Sequence, residues 1–231
     1  MKIILNEKLV KRNAKIGQIT SLLSLLTLGS GMYISFKYPE KFSVTLTALL
    51  VGFLLSQVSL YYGNRWGRIP RPDQLLDQNL KGLPGNYRIY HYASPVPHLL
   101  IGPAGVWVLL PYHQKGKVSY DGKRWHLKGG GFGQAYMRIF GQDNLGRPEL
   151  DAGAEVSKLH RFFEKTAPDA SIPPIRAALV FTSPNVELDV ENAPIPALHL
   201  KKLKPFFRKE AKSSPLSEKD IERLSALLPA P

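Results

Sequence analysis

The stretch Val96-Pro-His-Leu-Leu-Ile-Gly-Pro-Ala-Gly-Val-Trp-Val-Leu-Leu-Pro-Tyr-His-Gln-Lys-Gly-Lys117 decides the fold. It reads as two short buried strands, His98 to Ile101 and Val106 to Leu110, reversed at Gly102-Pro-Ala-Gly105. Proline and glycine supply the φ values that a reversal needs, and the flanks are too apolar for a surface loop. A basic tail, Lys115-Gly-Lys117, leads onward into another hairpin. On periodicity alone this is the core hairpin of an α/β domain.

The residues also carry a pattern. His98, Leu99 to Ile101, Gly102, Pro103, Gly105, Val106, Trp107, Val108, Gly116 and Lys117 fall in the order found in the central motif of nuclease-related (NERD) domains, which this stretch resembles. The resemblance runs roughly from Asp73 to Phe207 and implies an α/β domain of the restriction-endonuclease-like, PD-(D/E)xK type with a mixed sheet. It also implies three chemical positions, and here the chain departs from the pattern. Pro97 stands where the family has a metal-binding Asp, Leu110 where it has Glu, and Tyr112 where it has Lys. Phosphodiester cleavage of that type needs carboxylates to hold a divalent ion and a cation beside the attacking water. Residues 110 and 112 share one face of a strand, so a Glu and a Lys there would converge. Leucine and proline offer Mg²⁺ no oxygen. The resemblance therefore implies a nuclease-like scaffold without its catalytic residues, and Mg²⁺ enters only if other acids have taken over. Asp73, Asp77 and Asp121 are the candidates. Asp73, at a helix start, also reads simply as a dipole partner.

Charge is distributed unevenly. The 231 residues carry a net charge of +13, with 44% hydrophobic residues and no Cys, so disulfides and thiolate metal sites are excluded. Residues 1–71 hold 10 Lys/Arg against 2 Asp/Glu; residues 72–231 hold 21 against 16. The excess sits in the most apolar third. There, Ile16–Phe36 and Phe42–Tyr62 are each 21 residues long without a charged side chain. As helices they would each span about 30 Å, the thickness of a hydrocarbon core. A charge at mid-span would cost about 2.5–3.5 kcal/mol on insertion scales. These features predict a transmembrane hairpin with Lys37-Tyr-Pro-Glu-Lys41 as its turn. A cleaved signal peptide is the competing reading, but no small-residue cleavage site follows and a second span comes directly after.

Lys2, Lys8, Lys11, Arg12 and Lys15 precede the hairpin and Arg65, Arg68 and Arg71 follow it, while the turn holds Lys37 and Lys41. The positive-inside rule then predicts a multi-pass protein of the plasma (cytoplasmic) membrane with both termini cytoplasmic. Both flanks should attract the anionic inner leaflet. Tyr61, Tyr62 and Trp66 fit an interfacial aromatic belt. Ala48, Gly52 and Ser56 form a small-residue stripe that would pack on the first helix near Gly29 and Gly31, or serve oligomerisation.

The organisation expected is a basic N-terminus (1–15), the hairpin (16–36 and 42–62), a basic juxtamembrane linker (63–71), the α/β domain (72–212), and a linker with a closing helix (213–231). Within the domain, Asp73 to Leu83 reads as an amphipathic helix with Pro72 in its first turn. Asn86 to Tyr92 alternates like a strand. Lys117–Tyr120 and Lys123–Leu127 flank an Asp121-Gly122 hairpin turn. Glu149 to Lys165 is a helix, Ile175 to Thr182 a strand buried on both faces, and Val186–Val190 and Ala197–Leu200 are shorter strands. Glu218 to Leu228 is a helix capped by Ser217.

Two basic clusters stand out. Lys115, Lys117, Lys123, Arg124, Lys128 and Arg138 are interleaved with Tyr120, Trp125, Phe132 and Tyr136, a combination that suits a nucleic-acid backbone or single strand. A solvated hairpin edge gives the same composition. Lys201, Lys202, Lys204, Arg208, Lys209 and Lys212 accompany Leu203, Phe206 and Phe207 in a second cluster that could lie on a membrane, grip phosphates, or dock with its lysines solvated. Zinc spacings, a P-loop ending and a nucleophile elbow are missing from the sequence, and its six histidines are scattered. The leading reading is a membrane-anchored, catalytically inactive nuclease-like module that binds nucleic acid or another partner. A metal-dependent nuclease with relocated acids and a scaffold binding another protein are the alternatives.

Overall fold

A computed structural model describes residues 1–129, 145–213 and 215–229. The chain forms two compact units, one of Met1–Leu5 with Pro72–Pro231 and the other of Asn6–Arg71.

The smaller unit is a pair of helices, α1 (Glu7–Lys37) and α2 (Phe42–Tyr62), both long and apolar enough to cross a membrane. Asn6 caps α1 by accepting from the Leu9 amide at 3.0 Å, and Glu7 pairs with Lys11, so α1 starts nine residues before the apolar run. The helices meet along small residues. Ser24 Oγ donates to the Gly52 carbonyl at 2.8 Å, and Ser59 Oγ to that of Gly17 at 3.1 Å. A Cβ on Gly31 would lie 3.0 Å from that of Ala48, and one on Gly52 would lie 2.6 Å from Leu28. The Ala48–Gly52 stripe is thus used inside the hairpin. Gly31, opposite Ala48, and Ser24 and Leu28, opposite Gly52, are its partners on α1, not Gly29, which faces open space, while Gly17 lies against Ser59 and Tyr62. Leu22, Leu25, Leu26, Phe36, Leu50 and Leu54 point outward. Tyr61, Tyr62 and Trp66 pack on one another, with Trp66 buried and Tyr61 exposed.

The larger unit is built on a six-stranded mixed sheet. Its strands are β1 (Lys2–Leu5), β2 (Arg88–His91), β3 (His98–Gly102), β4 (Gly105–Tyr112), β7 (Ile175–Phe181) and β9 (Ala197–His199), hydrogen-bonded in that order. The β2–β3 and β3–β4 pairs are antiparallel; the β1–β2, β4–β7 and β7–β9 pairs are parallel. Alternation along each strand loads both faces. Ile89, Leu100, Trp107, Leu109, Ala178 and Val180 enter one core, covered by α3 (Pro72–Leu80) and α5 (Leu203–Ser213). Leu99, Ile101, Val106 and Val108 enter the other, covered by α4 (Pro148–Thr166) and α6 (Glu218–Ala226). Helices on both faces make this a three-layer α/β domain. The closing helix contributes Ile221 and Leu224 to the second core, so the boundary drawn at residue 212 falls inside the unit.

Three further strands form a second sheet, β6 (Trp125–Lys128), β5 (Gly116–Tyr120) and β8 (Val186–Asp189), ordered β6-β5-β8. It packs through Val118 onto Leu179 and Phe181. The turn between β5 and β6 is longer than the two residues expected. Tyr120 pairs with Trp125, and Asp121 Oδ1 accepts from the amides of Lys123 and Arg124 at 2.8 Å each, closing a four-residue loop. The N-terminal segment differs more. Within the basic N-terminus, Lys2–Leu5 adds a parallel edge strand to β2, with Ile4 packed on the second core, and so belongs to the domain.

Candidate functional site

The Gly-Pro-Ala-Gly turn joins β3 to β4 in the register Leu99↔Val108 to Gly102↔Gly105. Pro97 directly precedes β3, beyond the last pair of that register, and Leu110 lies two residues past it on β4. On the other side β4 runs parallel to β7, with Leu110 beside Leu179 and Tyr112 beside Phe181. Two of the three positions singled out by the motif, Leu110 and Tyr112, therefore lie at one end of β4, and Pro97 stands just before β3.

What they form there is packing. Leu110 bridges the second core and the small cluster beneath the second sheet. Tyr112 stacks on Phe181 with ring centroids 5.6 Å apart, and its hydroxyl donates to Asp151 Oδ2 at 3.2 Å. Burial, reinforced by the Asp151 charge and hydrogen bond, holds the phenol well above the ordinary tyrosine range. Tyr112 is thus a neutral donor at pH 7 and cannot replace a lysine cation. The residues at these positions do not fit a divalent ion.

The proposed substitute acids do not converge on them. Asp77 on α3 lies 3.0 Å from His91 Nε2, while Asp121 sits in the β5–β6 turn of the other sheet. A 2.6 Å hydrogen bond from His126, joined by the Arg124 and Lys123 amides, pulls the Asp121 carboxyl far below its ordinary value. Asp73 is 1% exposed at the start of α3. Among the described residues, no group of three or more His, Asp or Glu side chains is arranged to hold a metal ion.

A polar constellation that the sequence did not single out lies nearby. His91 and His98 are register partners at the end of β2 and β3, 0% and 2% exposed, with their Nδ1 atoms 2.8 Å apart. The Asp77 carboxylate only accepts, so His91 Nε2 donates to it, and the two Nδ1 atoms share one hydrogen bond whose direction is set by the tautomers. This chain of hydrogen bonds ties α3 to the β2–β3 hairpin. Its signal in the sequence was the alternation that put His91 on the same face as Ile89, but its partner Asp77 lay on another element.

The two basic clusters fare differently. Lys115, Lys117, Lys123, Arg124 and Lys128 are exposed on the second sheet and its loops, and Arg138 lies outside the described residues, as do Phe132 and Tyr136. Acids are mixed among them. Lys117 pairs with Asp189 at 2.9 Å, which raises its pKa, and Trp125 donates to Glu149 at 2.9 Å and packs against Tyr120 with ring centroids 5.3 Å apart. Lys201, Lys202, Lys204 and Arg208 sit on the 3₁₀ turn Leu200–Lys202 and on α5, which packs on the opposite face of the main sheet from α4. The structure does not join the clusters into one surface. Near the hairpin, Lys8, Lys11, Arg12 and Lys15 lie on α1 before its apolar run, and Arg65, Arg68 and Arg71 lie at and after the π-type turn Gly63–Gly67.

Comparison of the chain with protein-family models, with curated proteins and with solved structures finds no match.

Proposed function

We propose that this protein is a membrane-anchored, nuclease-related module whose α/β domain is catalytically silent and works by binding. The observation that carries the reading is the fate of the three motif positions. None of Pro97, Leu110 and Tyr112 offers a carboxylate or a cation, and Leu110 and Tyr112, near the end of β4, are engaged in packing. Leu110 is partly buried, so a carboxylate there would lose part of its hydration against the apolar side chains of two clusters. The scaffold implied by the resemblance is retained in this reading, and the phosphodiesterase chemistry is lost.

Anchoring rests on α1 and α2, with apolar outer faces and basic flanks. A further support is β1. It precedes the hairpin yet pairs with β2, which follows it. A chain that crosses twice returns to the side it left, so this pairing is compatible with a spanning hairpin and incompatible with a single crossing. The positive-inside rule then assigns that side to the cytoplasm.

The test uses the full chain in neutral lipid nanodiscs with end-labelled DNA and RNA and either Mg²⁺ or Mn²⁺. Intact probe at every metal concentration is expected. Metal-dependent fragments that disappear in an Asp73→Asn, Asp77→Asn variant would instead identify a working nuclease with relocated acids.

A further inference from the structure

The surface where α5 begins presents cations that the rest of the domain leaves unneutralised. Leu203 and Phe207 are buried and Phe206 packs on Trp107, so the apolar side of α5 is used inside the domain. An amphipathic helix inserting its apolar face into lipid is therefore ruled out here. What faces outward is charge. Lys201 and Lys202 are exposed in the turn that leads into α5, and Lys204 is in its first turn. Arg208 reaches across to the end of α3, donating to the Gly82 carbonyl at 3.2 Å. Lys204 Nζ would lie 3.6 Å from a side chain at Gly82, and Lys81 is exposed next to it in sequence.

Among the described residues none of these five cations forms an ion pair, and Glu210, the acid on α5, is held by Arg176 at 2.7 Å. The second-sheet cluster, by contrast, has Asp121, Glu187 and Asp189 among its lysines. The three lysines also stand at the end of the helix that already carries partial positive charge, where acids are the favourable choice. Folding alone does not account for this arrangement, and an external anion would.

We propose that Lys81, Lys201, Lys202, Lys204 and Arg208 dock on the anionic headgroups of the membrane that carries the hairpin. The inference rests on the anchoring reading above. Three observations favour lipid as the occupant. Leu5 passes directly to Asn6 and Arg71 to Pro72, so the domain is tied to the hairpin at two points and meets headgroups at high local concentration. Four of the five cations are lysines, point charges that a plane of headgroups satisfies without a fixed geometry. The aromatic rings of α5 are turned inward, leaving no platform on which a base could stack.

The chain has no cysteine, so a single introduced thiol carries a unique label. A fluorophore at Lys202→Cys, and separately at Lys123→Cys on the second sheet, is read in the full chain in nanodiscs holding a headgroup-attached quencher. Quenching is expected at 202 but not at 123, in discs with phosphatidylglycerol but not in neutral ones, and high salt should remove it. Adding Lys201→Glu and Lys204→Glu should abolish it without lowering the melting temperature, because acids suit a helix N-terminus. Equal quenching at both positions, or the same signal in neutral and anionic discs, would overturn the proposal. So would no quenching at 202 together with a labelled duplex that binds in neutral discs and is released by the Glu pair, which points to nucleic acid instead. Retention in the discs is scored separately: a chain that is not retained contradicts the anchoring, whereas a retained, unquenched one contradicts the docking.

Discussion

Tyr112 takes the position where the resembled pattern has its lysine, and its surroundings explain why it cannot act as one. The ring stacks on Phe181 and the hydroxyl donates to Asp151, with burial and the nearby carboxylate both opposing ionisation. A phenol whose pKa is raised in the folded state contributes stability that is full below the ordinary tyrosine value of about 10. That contribution is lost as pH rises toward the folded value. Tyr112→Phe should therefore cost about 1 kcal/mol near neutrality, for the hydrogen bond. It should also flatten the fall in melting temperature above about pH 10. Melting curves of both proteins between neutral and strongly alkaline pH check this, and parallel curves would mean that Tyr112 titrates freely. The sequence identified residue 112 as a departure but gave no sign of Asp151, which stands 39 residues away in the first turn of α4.

At the scale of elements, the reversal between β3 and β4 is a tightly constrained joint. Gly105 has φ +99°, which favours glycine, and a Cβ on Gly102 would lie 2.3 Å from the Tyr87 ring. Tyr87 is itself 1% exposed, so the ring has nowhere to go. Gly102→Ala should destabilise the domain by about 1–3 kcal/mol, the usual cost of overpacking. A drop in the denaturant midpoint with an unchanged slope is the expected signature; an unchanged midpoint would show that the ring yields freely. This joint was legible from the Gly-Pro-Ala-Gly spacing, as were α2, α4 and β7 from long periodic or uniformly apolar runs. Short strands were legible too, but their pairing was not. β8 is four residues long and pairs with β5, which is about seventy residues earlier, and nothing local announces such a partner.

For the whole molecule, the informative element is β1. Four residues, Lys-Ile-Ile-Leu, are too few to separate a strand from the start of the following helix, and they find their partner only at Arg88–His91. The sequence therefore showed a hairpin followed by a domain, whereas the structure has a domain interrupted by a hairpin. That interruption links the fold to the proposed topology, since the chain on both sides of α1 and α2 belongs to one folded body.

The most direct measurement is the accessibility of single cysteines in intact expressing cells, made possible by the lack of native ones. Glu40→Cys lies between α1 and α2, and Lys165→Cys lies near the end of α4. With a spanning hairpin and an internal domain, a membrane-impermeant maleimide labels position 40 in intact cells and position 165 only after lysis. Labelling of position 165 in intact cells, or protection of both positions until lysis, would contradict that topology.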